Sequence, residues 1–162
     1  MDPDRFYARA YWISYAGNPR QLCTKPYPGH RKGCPNFGKR PTCPPGAPLL
    51  WQTLDTQRAV FAIWNRFDLA AHVARMLVKH PTWSERQLRN CLYWQGTARK
   101  QLREKIDRFL VERPRQRVIL CPEACGVNVH ETMAALGVHL DWPPTRCAYQ
   151  VALAGTPREA AD

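Results

Sequence analysis

Residues 17 to 48 hold eight of the chain's 15 prolines and five of its 9 glycines. Proline lacks the amide donor that a helix or a strand ladder needs, and glycine loses backbone entropy when ordered. A stretch so composed, with little apolar periodicity, is expected to be irregular chain laid across a fold whose core comes from residue 49 onward. Such a segment pays ordering entropy without a dense core of its own, so it needs an anchor.

From residue 49 the pattern becomes regular. "AVFAIWNRF" (59–67) reads as a strand, and "DLAAHVARMLVKH" (68–80) as a helix with Leu69, Val73, Met76 and Leu77 on one face. "SERQLRNCLYWQGTARKQLREKIDRFLVE" (84–112) is helical by spacing, opened by a capping box of Ser84 and Gln87. Leu88, Cys91, Tyr93, Leu102, Ile106, Phe109 and Leu110 form its packing face, and Gly96 is its weak point. "RVILC" (117–121) is a short strand, "NVHETMAALG" (128–137) a helix capped by Asn128 and stopped at Gly137, and "YQVALAG" (149–155) a last strand. The alternation predicts a small single α/β domain over residues 1–162, with the irregular cysteine- and proline-rich segment packed against mixed strands and helices.

Seven cysteines, an odd number, weaken a disulfide framework. Cys34 and Cys43 are each followed by proline in "GCPNFGKRPTCPPGAP", with Cys23 upstream, and Cys121 and Cys125 lie in "CPEACG" between a strand and a helix. Convergence of Cys34, Cys43 and Cys125 with Cys121 and Cys23 predicts a metal site and supplies the missing anchor: a [4Fe-4S] cluster, or zinc as the alternative. Cys91 among apolar neighbours and Cys147 near a strand start are read as packing residues. His130 beside Glu131 suits either an active site or a helix cap.

"GCPNFGKRPTCPP" together with "EACGVNVHETMAALG" resembles the DUF2284 family of predicted metal-binding proteins, as a shortened and divergent member. Cys34, Cys43 and Cys125 match the family positions, and the resemblance implies metal binding. His30 stands where the usual pattern has a further cysteine, which makes it the alternative ligand.

The formal net charge is +11. Between residues 20 and 40 there are six Lys/Arg and no Asp/Glu, and between 86 and 117 ten against three. Fields of this kind attract an anionic small molecule, RNA, DNA or an acidic protein. Arg31, Lys32, Lys39 and Arg40 are the expected anion contacts, with Tyr27, Phe37, Trp51, Trp83, Tyr93 and Trp94 as stacking surfaces or as core. Phosphate-loop, dinucleotide, H-E-x-x-H and common radical-SAM motifs are absent. Two functions follow as expectations. One is an iron–sulfur protein acting on a small anionic or nucleobase-containing substrate at an open iron, with or without a redox or protein partner. The other is a metal-stabilised nucleic-acid or protein-binding module without catalysis. No apolar run approaches a membrane span and "MDPDRFYARAYW" is unlike a secretory signal, so a cytoplasmic protein without membrane insertion is expected.

Overall fold

Strand-forming residues concentrate in two nine-residue stretches, and these pair with each other along their whole length. The computed structural model describes residues 5–26 and 30–159. Four strands, β1 (Tyr7–Ala10), β2 (Val60–Asp68), β3 (Arg117–Ile119) and β4 (Cys147–Gly155), form one sheet in the order β1-β2-β4-β3. Every pairing is antiparallel, and the central ladder runs from Val60↔Gly155 to Asp68↔Cys147. Side chains alternate across a pleated strand. Ile63, Ala152 and Ala154 therefore face one side, while Val60, Ala62, Trp64 and Leu153 face the other. Both faces are covered, which is why β2 reads as a nearly continuous apolar run.

The helices are α1 (Leu50–Thr53), α2 (Leu69–Lys79), α3 (Glu85–Leu88), α4 (Gln95–Glu112) and α5 (Val129–Ala135). Short 3-10 turns occur at Pro19–Thr24, Cys91–Tyr93 and Pro122–Cys125. α4 covers the first face with Leu102, Ile106 and Phe109, spaced to share one side of a helix. Phe109 is fully buried and meets Tyr7 and Phe61 at ring-centroid distances of 5.2 and 5.4 Å. Asn65 is the polar exception on this face, and its side-chain amide donates to Ala98 O at 3.2 Å, Gln101 Oε1 at 2.9 Å and Gln150 Oε1 at 3.2 Å.

The second face is covered by Leu50, Leu54, Cys125, Val127, Val129 and Met133. α1 is stitched to the sheet beyond β4, where Asp55 N donates to Thr156 O at 2.9 Å and Arg158 N to Thr53 O at 2.9 Å. α5 starts at Asn128, whose side chain accepts from Glu131 N at 3.1 Å, and the chain turns away at Gly137 with φ +74°. Residues 14–16 are clipped to α5: Ser14 N donates to Thr132 Oγ1 at 3.1 Å, and Ser14 Oγ donates to Glu131 Oε2. Glu131 thus serves the fold as a clip.

The α/β reading holds at the level of one mixed domain of strands and helices. One strand was not expected, and three expectations change. The edge strand β1 pairs Tyr7 to Ala10 with Ile63 to Val60, a strand too short and alanine-rich to stand out. The 84–112 helix is broken not at Gly96, which lies inside α4, but around Asn90. There the Asn90 side chain accepts from Leu92 N at 3.1 Å, and buried Trp94 donates its indole N–H to Arg89 O at 3.1 Å. The break leaves Cys91 and Tyr93 exposed. Leu77 is exposed as well, because α2, capped by Asp68 at 2.8 Å from Ala71 N, buries only Leu69 and His72. The cysteines, finally, are scattered along the chain from 23 to 147 rather than forming a distinct cysteine-rich segment. Among the described residues no helix is long and apolar enough to cross a membrane.

Because Phe109 has no solvent-exposed surface, Phe109→Ala is expected to cost about 3–5 kcal/mol, whereas Leu77→Ala stays within about 0.5 kcal/mol. Urea unfolding of the two variants beside the parent checks this, and similar midpoints would contradict the core assignment.

Candidate functional site

Among the described residues from 25 to 48 there is no helix or strand, and the chain is held by successive turns. Gly33 N donates to His30 O at 3.2 Å, Phe37 N to Cys34 O at 3.1 Å, Lys39 N to Asn36 O at 3.1 Å and Cys43 N to Arg40 O at 3.0 Å. Two longer contacts fold this run onto itself: Gly38 N donates to Pro44 O at 2.8 Å and Cys34 N to Cys23 O at 2.7 Å. Gly33 has φ +81°, and a Cβ there would lie 2.5 Å from Cys23 O, so the close approach of the two segments requires glycine. Arg20 supplies the remaining tie, its Nη2 donating to Pro45 O at 2.7 Å and Ala47 O at 3.0 Å. The turn Pro19–Thr24 packs against the turn Pro122–Cys125.

Side chains on this layer separate by chemistry. Arg31, Lys32, Lys39 and Arg40 are all exposed, whereas Cys23, Cys34 and Cys43 are half-buried. The ion pairs among the described residues are Arg58–Asp55, Arg89–Glu85 and Arg113–Glu112, so none of the four loop cations is neutralised in that way. No acidic residue occurs anywhere from 5 to 54, a run that holds eight Lys/Arg. The other basic stretch, along α4, is interrupted by Glu104, Asp107 and Glu112.

Three thiols, those of Cys23, Cys121 and Cys125, are shifted toward their neutral forms. Burial pushes the Cys23 thiol up, followed by the charges that Cys34, Cys43 and Glu123 would carry. Cys121 is raised by burial, then by Glu123, Cys43 and Cys23, against an opposing Arg99. Cys125 is raised by burial, then by Cys121 and Glu123, against Arg20. The Glu123 carboxyl is also pushed up by burial, although the residue keeps exposed surface.

The metal expectation is overturned. Among the described residues there is no group of three or more His, Cys, Asp and Glu side chains able to hold a metal ion. A thiolate ligand must reach within about 2.3 Å of zinc, while Coulomb coupling acts over much longer separations. Cys23 is influenced by Cys34 and Cys43, and Cys121 by Cys43 and Cys23, but no three of them form a metal-holding group. Cys125, expected as a ligand, is buried against Val127, Val129 and Met133 and works as a small apolar residue. His30 is exposed in the loop and joins no metal-binding group. The [4Fe-4S] cluster, the zinc alternative and the open-iron chemistry built on them are withdrawn for this reason.

The aromatic expectations divide. Tyr27 lies outside the described residues. Trp94 is core, stacked on Phe67 at 5.3 Å, and Trp83 stacks on His80 at 3.9 Å. Phe37, Trp51 and Tyr93 are exposed, with Trp51 edge-on to exposed Tyr15 at 5.0 Å. Exposed Tyr11 and Trp12, directly after β1, escaped the sequence reading because nothing local marks where a short edge strand ends. The full length of the acid-free run from 5 to 54 was the signal for extending the basic surface beyond residue 20. Two cavities of about 380 Å³ lie elsewhere, one lined by Asp55 and Glu159, the other by Asn65 and Lys105. Neither is lined by a cysteine or by the four loop cations.

No family model, curated protein or solved structure matches the chain.

Brief alkylation of the native protein with iodoacetamide, read by peptide mass spectrometry, is expected to modify exposed Cys91 well before Cys125. Equal rates at Cys91 and Cys125 would contradict the placement of Cys125 in the core.

Proposed function

We propose that the protein binds single-stranded nucleic acid through the basic layer, with Arg31, Lys32, Lys39 and Arg40 meeting phosphates and Phe37 offering a stacking face. The observation that carries this reading is the exposure of four loop cations, outside every ion pair among the described residues, within a run of the chain free of acidic side chains. Each cation placed on a phosphate releases condensed counterions, which makes affinity fall with salt. Phe37 follows Asn36 and precedes Lys39 and Arg40 in the chain, and it is exposed. An aromatic face among cations suits unpaired bases, which stack without regard to sequence.

Backbone turns hold this loop, and among the described residues the four cations form no ion pair that would fix their side chains. Arg20 differs from them. Its guanidinium is occupied by Pro45 and Ala47 carbonyls and positions the layer.

Fluorescence anisotropy with a labelled single-stranded oligonucleotide, RNA and DNA in parallel, tests the reading across a salt series. The slope of log affinity against log salt is expected to fall by about 0.7 for each phosphate contact removed, so the combined R31A, K32A, K39A and R40A variant loses up to about 3 from the slope. A variant with parental affinity and slope would overturn the assignment, as would absence of parental binding at low salt.

A further inference from the structure

Cys23 and Cys34 come from different segments and meet through their main chains. Cys34 N donates to Cys23 O at 2.7 Å, and the bond lengths on either side of that contact hold the two Cα atoms to no more than about 6.6 Å. Disulfides form at Cα separations of roughly 4.4–6.8 Å. The hydrogen-bonded crossing is stabilised from next door, since Gly33 lies against the Cys23–Thr24 peptide too closely for any side chain. Both cysteines are free and half-buried, and neither is spent on the apolar core as Cys125 is.

We propose that Cys23 and Cys34 form a thiol–disulfide exchange site, oxidised by a small-molecule disulfide of the glutathione class. In the first step the Cys34 thiolate attacks one sulfur of the reagent. A Cys34–reagent mixed disulfide forms, the reagent's S–S bond breaks, and one reagent thiolate leaves. In the second step the Cys23 thiolate attacks the Cys34 sulfur, closing the Cys23–Cys34 bond and expelling the second reagent thiolate. Two protein thiols lose two protons and two electrons, and one reagent disulfide becomes two thiols. The order follows from the surroundings. Burial and the neighbouring Cys34, Cys43 and Glu123 push the Cys23 thiol up, which disfavours it as the first attacker, while in the second step the backbone crossing holds its target, the Cys34 mixed disulfide, beside it at high effective concentration.

Selectivity distinguishes this site from general thiol oxidation. Cys43 and Cys121 also influence Cys23 or share its surroundings, but Cys34 is the cysteine whose backbone is bonded to it. Cys91, exposed on its own 3-10 turn, provides an internal control for unguided reaction.

The test treats the reduced native protein with glutathione disulfide, blocks remaining thiols with iodoacetamide and maps linkages by tryptic mass spectrometry. Cleavage after Arg31 and Lys39 separates Cys23, Cys34 and Cys43 onto different peptides. The expected product is a dominant Cys23–Cys34 linkage while Cys91 carries glutathione or the alkyl block, and in Cys34→Ser the Cys23 peptide is recovered unlinked. Dominant pairing of Cys34 with Cys43 or Cys121 would overturn the proposal. So would equal Cys23 linkage in Cys34→Ser, mixed disulfides alone, or a Cys23–Cys34 linkage that appears only in denaturant.

Discussion

A four-stranded sheet with apolar side chains on both faces must be covered twice, and the chain has one long helix with which to do it. α4 takes the face that carries Ile63, Ala152 and Ala154. The opposite face, with Val60, Ala62, Trp64 and Leu153, falls to α1, α5 and the turn that holds Cys125. Burial at about 25 cal/mol per Å² makes each covered face a dominant stabilising contribution. The β2–β4 ladder therefore dictates that short and irregular chain be recruited into the fold rather than left as a tail.

The way that irregular chain is fastened explains the character of its surface. Fixing a residue's backbone costs on the order of 1–2 kcal/mol, and the described residues between 17 and 48 offset this with backbone turns, the Arg20 clamp on Pro45 and Ala47, and the Cys34–Cys23 crossing. Those ties consume main-chain groups and a single guanidinium. The cations at 31, 32, 39 and 40 are left facing solvent with no carboxylate among the 50 residues from 5 to 54. The Cys23 and Cys121 thiols are raised and stay uncharged at neutral pH.

Much of this was legible from residue types, and the failures share one cause. The strand around Val60–Asp68, the Ser84–Gln87 box and the Asn128 cap are local patterns, and each appears where its spacing puts it. The break at Asn90 is tertiary, since burying Trp94 and bonding its indole to Arg89 O outweighs continued helix. Cysteine spacing likewise reports where sulfurs sit along the chain but not where they point. Cys125 turns into the core, and with it goes the convergence on which a cluster depended. Positive charge was easier to read, because a lysine or arginine without a carboxylate within reach has little alternative to solvent.

The central claim is that the irregular layer, and not the acid-bearing α4, is the surface that receives an anionic strand. Amide chemical-shift mapping of the isotopically labelled protein during titration with a single-stranded oligonucleotide tests it most directly. The account predicts perturbations concentrated on residues 31–40, with α4 from Arg99 to Arg108 nearly unchanged. Perturbations centred on α4, or none at either surface, would contradict it.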